Sequence, residues 1–361
     1  MQLTLGSLIR YLQNRDEDEI TIYFMPDTRG PCRFGQYSNY INLWLDKNRV
    51  ERVALLSLNS ENAYAGLGLA FKMRAWMAIV ISDIFNAVSQ NLKVLAKNRS
   101  EAIEVIKESS EKILEGLANQ SMAKIYRILQ EVAEKFSKVE RRFELEEVPK
   151  IILTGEIYVR NDEFSRKNLE NFFEDYGIIM HVSPIQEWMY YLDYLFLRKI
   201  ISPDSKFRDK LYKFAEIAMK RYVEKRVKNI FSRTGFYEPH LVDIKSIVKA
   251  AQRYFDIRVT GEAVLTIGTA LYEIVREYDG VISIGPFGCM PSRIAEAIIK
   301  RGISDLKNSN DKRVREVAKI AGDFPVVSLE SDGNPFSPII ESRLDAFVVQ
   351  VRRMHEILKK N

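Results

Sequence analysis

The stretch GVISIGPFGCMPSRIAEAIIK, at residues 280–300, is the clearest indication of how this chain folds. Residues 280–286 form a continuous apolar run, which is typical of a strand buried on both faces of a parallel sheet. Apolar side chains at helical spacing then predict a helix over 291–302, and Pro291 suits its first turn. Cys289 therefore lies between the end of a strand and the beginning of a helix.

The same alternation of strand and helix recurs along the chain. Apolar runs predict strands at 19–26, 52–58, 150–159, 177–184, 280–286 and 324–330. Amphipathic patterns predict helices at 36–47, 67–97, 100–136, 163–175, 185–200, 204–230, 242–254, 263–278, 291–302 and 338–359. Strands that alternate with helices favour a parallel sheet. The sequence thus predicts an α/β fold with substantial additional helical content.

A domain boundary is predicted before the strand at 150–159. The charged region 100–146 contains no strand pattern, and Pro149 separates it from the next strand. We therefore predict an N-terminal α/β domain over 1–146, which carries Cys32, and a second α/β domain over 147–361, which carries Cys289. The C-terminal helix is expected to pack back on the first domain.

Composition narrows the class of protein. The chain has 361 residues, of which 46% are hydrophobic and 29% charged, and its formal net charge is +5. No apolar window reaches the roughly 18 residues of a membrane span, and the N-terminus lacks a secretion signal. We expect a cytoplasmic protein that binds neither membranes nor nucleic acid, since the basic residues are mixed with acids. Two cysteines do not suggest a disulfide framework.

The two cysteines share their local setting. In RGPCR, residues 29–33, Cys32 follows a glycine and a proline and precedes a predicted helix, as Cys289 does. Sites in open α/β sheets collect at the carboxyl ends of strands. A helix N-terminus also favours an anion such as a thiolate, which is the form that binds metal. The alternative is that each cysteine is a small buried apolar residue.

Three further polar residues follow predicted strands. Glu156 and Arg160 lie in GEIYVRND, residues 155–162, at the end of the strand predicted there, and Glu187 falls in the first turn of the next helix. These three are candidate catalytic residues. The alternative for the first two is a solvated strand end with a local ion pair, and a helix N-terminus favours Glu187 in any case.

The basic helix at 206–233 is open to two interpretations. It could bind an anionic partner such as a coenzyme A phosphate, or its charges could form an ordinary solvated face. The sequence contains no GxxxxGK[ST] motif, so a P-loop for ATP hydrolysis is not predicted in this chain.

Several segments, in order, carry a family resemblance. They are DTRGPCRFGQY (27–37), ILTGEIYVRNDEFSRKNLE (152–170), VSPIQEW (182–188), GEAVLTIG (261–268) and GPFGCMPSRIAE (285–296). Together they resemble the activase-associated members of the 2-hydroxyacyl-CoA dehydratase superfamily. The likeness extends over nearly the whole chain, and the ordered set is far more specific than any one motif.

The resemblance implies two Rossmann-like parallel-sheet domains around an iron–sulfur cluster of the 4Fe–4S type. Cys32 and Cys289 would be ligands of this cluster. The residues that would shape the two ligand loops are Gly30, Pro31, Gly288 and Pro291. Dehydratase subunits of the family use three cysteines and this chain has two, so we expect the third ligand from a segment upstream of Met1, from a short cysteine-bearing polypeptide or from a homologous subunit.

The function that follows from the resemblance is single-electron transfer. The chain would be the iron–sulfur component of an ATP-dependent 2-hydroxyacyl-CoA dehydratase, a lyase, or of a related low-potential reductase. Its partners would be an ATP-dependent activator that carries its own cluster and an acyl-CoA substrate. Two alternatives stay open: a non-catalytic scaffold subunit with structural cysteines, and a redox-inactive enzyme that uses the region of Glu156 and Arg160 on a small acid.

Overall fold

The computed structural model describes residues 2–26, 33–57, 68–274, 276–334 and 336–360. In these residues the chain is α/β, as predicted, with two parallel sheets. The helices are α1 Gln2–Leu12, α2 Tyr37–Lys47, α3 Gly68–Leu95, α4 Arg99–Asn119, α5 Met122–Ser137, α6 Ile157–Asn161, α7 Glu163–Arg166, α8 Leu169–Asp175, α9 Ile185–Leu197, α10 Phe207–Phe231, α11 Ile244–Ala251, α12 Glu262–Glu273, α13 Met290–Asp305, α14 Lys312–Ala321 and α15 Pro338–Lys360. The strands are β1 Thr21–Phe24, β2 Val53–Leu56, β3 Lys150–Gly155, β4 Ile179–Val182, β5 Gly280–Pro286 and β6 Val326–Ser331.

The larger sheet has four strands in the order β4–β3–β5–β6, and every pairing in it is parallel. Ile151 of β3 lies opposite Met180 of β4 on one side and Gly280 of β5 on the other. Because all four strands run in one direction, their carboxyl ends meet at one edge of the sheet. The loops that leave this edge therefore converge.

Both faces of this sheet are buried. Ile152 and Val281 point into the larger core, which includes apolar side chains of α3, α9, α10 and α12. Ile151 and Ile282 point into a second core, where Phe347 of α15 packs. This two-sided burial explains why the strands are continuous apolar runs in the sequence. The larger core includes residues on both sides of the predicted boundary between 146 and 147, and the division into domains stays a prediction.

The smaller sheet pairs β1 with β2 in parallel. One face packs on α1 and α2 through Leu8 and Ile41, which are fully buried. The other face exposes Ile22 and Phe24, at 65% and 55% of their surface. The runs predicted at 19–26 and 52–58 therefore contain strands. The described residues cover one face of this sheet and leave the other face exposed.

The long helices pack beside the larger sheet. Phe136 of α5 contacts Phe85 of α3 and Phe231 of α10, with ring centroids 5.8 and 6.4 Å apart. Trp76 Nε1 of α3 donates a hydrogen bond to Lys220 O of α10 at 3.1 Å. None of the helices of the described residues is long and apolar enough to cross a membrane.

The inner face of α10 holds a buried charge network around Glu224. Glu224 Oε2 accepts hydrogen bonds from Tyr190 Oη at 2.7 Å and from Arg221 Nη1 at 2.8 Å. Its Oε1 accepts from Lys228 Nζ at 2.8 Å and from Val242 N at 3.2 Å. Burial raises the pKa of Glu224, but these cations and donors outweigh burial and leave the pKa below its ordinary value. The carboxylate is thus ionised and fully paired.

Several predictions of secondary structure were wrong in detail. The strand predicted over 150–159 ends at Gly155, because the following residue caps α6. The helix predicted over 100–136 is two helices, since Gln120 takes an extended conformation and ends α4. The helix predicted over 163–175 is also two helices, α7 and α8. Helices α1, α6 and α14 were not predicted.

Candidate functional site

Cys289 lies in the turn between β5 and α13, as the sequence predicts. It is the N-cap residue of α13, and its amide donates to Pro286 O at 3.0 Å. Gly288 has φ +68°, in the left-handed region that favours glycine, and its amide donates to Glu330 Oε1 at 3.1 Å. Pro291 lies in the first turn of the helix. The backbone therefore holds the thiol in a defined place at the carboxyl edge of the sheet.

The thiol of Cys289 is half-buried and lies beside polar groups. Burial raises the pKa of the thiol, hydrogen bonds with Ser292 oppose this effect, and the carboxylates of Glu156 and Glu262 raise the pKa further. A Cβ atom at Gly285 would lie 2.1 Å from Ser292 Oγ, so only glycine lets β5 and α13 pack this closely. Cys289 thus lies within electrostatic range of two carboxyl groups.

Glu156 is the first of these carboxyls, and it does not lie on a strand. Its Oε2 accepts a hydrogen bond from Val159 N at 2.8 Å, which makes Glu156 the N-cap of α6. Its position depends on Gly155, which has φ +120°, and where a Cβ atom would lie 1.9 Å from Ile284 O. The expectation that Glu156 and Arg160 end a strand was therefore wrong, because β3 stops one residue earlier.

Glu262 is the second carboxyl. It begins α12, far along the chain, and its Oε1 accepts a hydrogen bond from Ile157 N at 2.9 Å. Glu156 and Glu262 thus accept hydrogen bonds from two amides, those of Val159 and Ile157, in the first turn of α6. Burial raises the pKa of both carboxyls, and the charge of Glu156 adds to the rise for Glu262. Two close carboxyls resist simultaneous ionisation, so this pair holds a proton more tightly than exposed glutamates do.

Arg160 lies behind the pair and is 2% exposed. Its Nη1 donates to Gly155 O at 3.0 Å and its Nη2 donates to Pro184 O at 3.4 Å. The guanidinium therefore joins the carboxyl ends of β3 and β4. Its charge lowers the pKa of four nearby carboxyls, which are those of Asp83, Glu156, Glu187 and Glu262. Since Arg160 is buried, its charge acts on these acids, and it does not face an incoming small acid.

Two more carboxyls complete the acid cluster. Glu187 is 1% exposed, burial raises its pKa to about 7, and its Oε1 accepts a hydrogen bond from Thr269 Oγ1 at 2.8 Å. Asp83 of α3 accepts hydrogen bonds from Ile185 N at 3.0 Å and Gln186 N at 2.9 Å, and so caps α9. Burial raises the pKa of Asp83 to about 6. Burial thus brings the pKa of both acids closer to neutral pH.

The structure brings four of the predicted site residues together. They are Cys289, Glu156, Arg160 and Glu187. The sequence analysis missed Glu262, Asp83 and Thr269, which lie on α12 and α3. Asp83 had a detectable signal, because it is a single acid within the apolar stretch AWMAIVISDIFNAV at 75–88, where an acid needs a buried partner. Cys32, Gly30 and Pro31 lie outside the described residues.

The described residues contain no group of three or more His, Cys, Asp and Glu side chains placed to hold a metal ion. Comparison with known proteins finds no match for this chain among protein-family models, curated proteins or solved structures.

Proposed function

We propose that this chain is the iron–sulfur component of a low-potential, ATP-dependent system similar to the 2-hydroxyacyl-CoA dehydratases. The observation that carries the proposal is the place of Cys289, a half-buried thiol held at a helix N-terminus on the carboxyl edge of a parallel sheet. The segments GEIYVRND and GPFGCMPS, on which the resemblance rests, both contribute to this edge. The same resemblance supports two Rossmann-like domains and a cytoplasmic location.

The residues at the site fit one ligand position of a cluster. A thiol at a helix N-terminus is suited to metal binding once it has lost its proton. Among the described residues Cys289 is the one cysteine. Cys32 would supply a second thiolate, and the third protein ligand would come from outside this chain. When bound, the cluster would supply single-electron chemistry at low potential.

The acid cluster gives the chain a role of its own beside the thiol. Loss of water from a 2-hydroxyacyl thioester requires a proton for the departing hydroxyl oxygen, and a carboxylic acid with a raised pKa can donate it. Glu156 and Glu262 are half-buried and hold their protons tightly, so they are the proposed donors. Arg160, which donates a hydrogen bond to Gly155 O, places a positive charge near both carboxyls.

Anaerobic analysis of iron and acid-labile sulfide after reconstitution tests the proposal. Wild type should bind both elements and absorb visible light, whereas Cys289→Ser and Cys32→Ser should lose the iron while unfolding at nearly the wild-type temperature, since serine is a poor iron ligand. Phe287→Ala, in the same turn and 75% exposed in the wild type, should keep the iron. A wild type without iron, or iron retained in both serine variants, contradicts the proposal.

Dependence on an activator is a separate part of the proposal. The chain has no P-loop motif, so ATP hydrolysis would take place on a second protein that carries its own cluster. Mixing reconstituted chain, candidate activator, reductant and ATP should reduce the cluster, and a non-hydrolysable ATP analogue should prevent reduction. Equal reduction with ATP and with the analogue would rule out ATP gating and leave a simple electron carrier.

The acid cluster also favours a second candidate, an acid–base enzyme without redox chemistry. Such an enzyme would use Glu156 and Glu262 as proton donor and acceptor, because both carboxyls have raised pKa values and partial exposure. It would work without iron, whereas the proposed component would not. The iron analysis therefore separates the two candidates, and also separates the first from a scaffold with structural cysteines.

A further inference from the structure

The outer face of α10 is a continuous apolar stripe. Phe207, Leu211, Phe214, Ala218 and Tyr222 follow each other at intervals of three or four residues, so they lie on one face of the helix. All five are exposed, and the four larger ones expose 84%, 61%, 57% and 57% of their surface in chain order. Single exposed apolar residues are ordinary, but a contiguous row of this length indicates a contact surface.

The size of the stripe suits a protein–protein contact. Three aromatic side chains of the stripe, Phe207, Phe214 and Tyr222, expose between 57% and 84% of their surface. Since a buried aromatic side chain contributes about 150–250 Å², these three offer roughly 400 Å². A stable interface takes about 800 Å² from each partner. The aromatic residues of the stripe alone thus supply about half of what one partner needs.

We propose that this face joins two copies of the chain, with α10 of one copy packed antiparallel on α10 of the other about a two-fold axis between Phe214 and Ala215. An axis at this point places Phe214 opposite Ala215, and Leu211 opposite Ala218. Each large side chain then meets a small one, as close packing of two helices requires. The stripe is in this sense complementary to itself, which is the condition for a two-fold interface.

The ends of the stripe also match in this arrangement. Phe207 of one copy lies opposite Tyr222 of the other, and the pair occurs twice because of the symmetry. Paired aromatic rings contribute about 0.5–1.5 kcal/mol beyond the area that they bury. The contact therefore has an aromatic pair at each end and an aliphatic centre.

One like-charge pair arises in this arrangement. Arg221 of one copy would lie opposite Arg208 of the other, but Arg221 already pairs with Glu224 of its own chain at 2.8 Å. The pair with Glu224 offsets part of the repulsion.

Sedimentation equilibrium on the full chain, over a wide range of concentration, tests the proposal. Wild type should sediment as a dimer, and Phe214→Glu should raise the dimer dissociation constant about 100-fold, as expected for a residue at the centre of an interface. Val349→Glu is the matched control, because Val349 is also an exposed apolar helix residue, at 68%. A monomeric wild type, or a dimer that Phe214→Glu leaves intact, overturns the proposal.

Exchange of side-chain size tests the alignment of the two helices. Ala218→Leu alone should weaken the dimer about fivefold, because each new side chain meets Leu211 of the other copy, and adding Leu211→Ala should restore affinity. Failure of the double variant to recover affinity overturns the proposed register. Vesicles of phosphatidylcholine and phosphatidylserine serve as a second probe: a wild type that stays monomeric and binds them through Phe214 would assign the face to a lipid surface and refute the dimer.

Discussion

Two buried glutamates in this molecule have opposite proton affinities. Glu224 on α10 is 0% exposed and its pKa lies below the ordinary value, whereas Glu187 at the carboxyl edge of the sheet is 1% exposed and its pKa rises to about 7. Burial raises the pKa of both. Glu224 is bonded to Lys228, Arg221 and Tyr190, while Glu187 receives one hydroxyl hydrogen bond, from Thr269.

The difference separates an acid whose charge is balanced by neighbouring cations from one whose pKa is set mainly by burial. Where cations and donors surround a carboxylate, its charge is fixed and it stabilises the fold. Where the charge of Arg160 is shared among several acids, burial raises the pKa of Asp83 to about 6 and that of Glu187 to about 7. Degree of burial alone would have ranked the two glutamates as equal.

The largest expected effect on the free energy of unfolding is that of Glu224→Gln. The change removes a carboxylate that Lys228 and Arg221 both contact, and leaves the two cations without their partner in a buried place. Removing one member of a buried ion pair costs about 3–5 kcal/mol, so urea unfolding should show a loss of that size at pH 7. The loss should shrink as the pH falls below the ordinary pKa of 4.5, since protonation removes the same charge from wild type.

Glu131→Gln is the control for this prediction. Glu131 pairs with Lys112 on the surface, where the two side chains are 59% and 51% exposed. An exposed pair contributes about 0–1 kcal/mol. If Glu224→Gln were as mild as this control, the network on α10 would not be the structural element that we describe.

The second expected effect is that of Glu187→Gln, which should raise the free energy of unfolding at high pH, whereas Glu224→Gln should lower it. The pKa of Glu187 rises from 4.5 to about 7 on folding, so the folded protein binds this proton more tightly than the unfolded chain does. Its contribution to stability is therefore complete below pH 4.5 and is lost as the pH rises to about 7. Glu187→Gln cannot titrate, and should match wild type at pH 4 but exceed its stability by up to about 3 kcal/mol at pH 8.

Unfolding free energies measured across this pH range check the prediction. Asp83 and Glu273 interact electrostatically with Glu187, so the difference between the two curves reports the titration of Glu187 together with its effect on the pKa of these two acids. A variant that is less stable than wild type at pH 8 would mean that Glu187 is an ionised structural acid like Glu224, and the comparison would fail.

The smallest effect is expected for Thr269→Val. Its hydroxyl donates to Glu187 Oε1 at 2.8 Å, and both side chains are buried. Loss of a hydrogen bond to a charged group costs about 1.5–3 kcal/mol. We expect Thr269→Val to lower the free energy of unfolding by about 1.5 kcal/mol at pH 8. The loss should be smaller at pH 5, where Glu187 is protonated. Thr269→Ser keeps the donor and should keep the stability. Equal losses at both pH values would show that the hydroxyl serves packing alone.

Local sequence predicted the setting of Cys289 well, because the strand, the turn and the helix that form it are adjacent in the chain. It misplaced the end of β3, since EIYV at 156–159 alternates like a strand, while the signals that stop it are the glycine at 155 and the capping carboxylate that follows. The acid cluster was predicted only in part. Asp83 and Glu262 join it through tertiary packing of α3 and α12, which no local pattern encodes.

The order of strands in the larger sheet has a consequence for synthesis of the chain. β3 is central, but the residue that accepts a hydrogen bond from its first amide, Asp279, is 129 positions further along. A ribosome that adds about 5–20 residues per second needs roughly ten seconds to reach β5. During that interval β4 can pair with one edge of β3, while the other edge of this apolar strand stays unpaired because β5 has not yet been made. The nascent chain therefore passes through a stage at which it is exposed to misassembly, before its core can close.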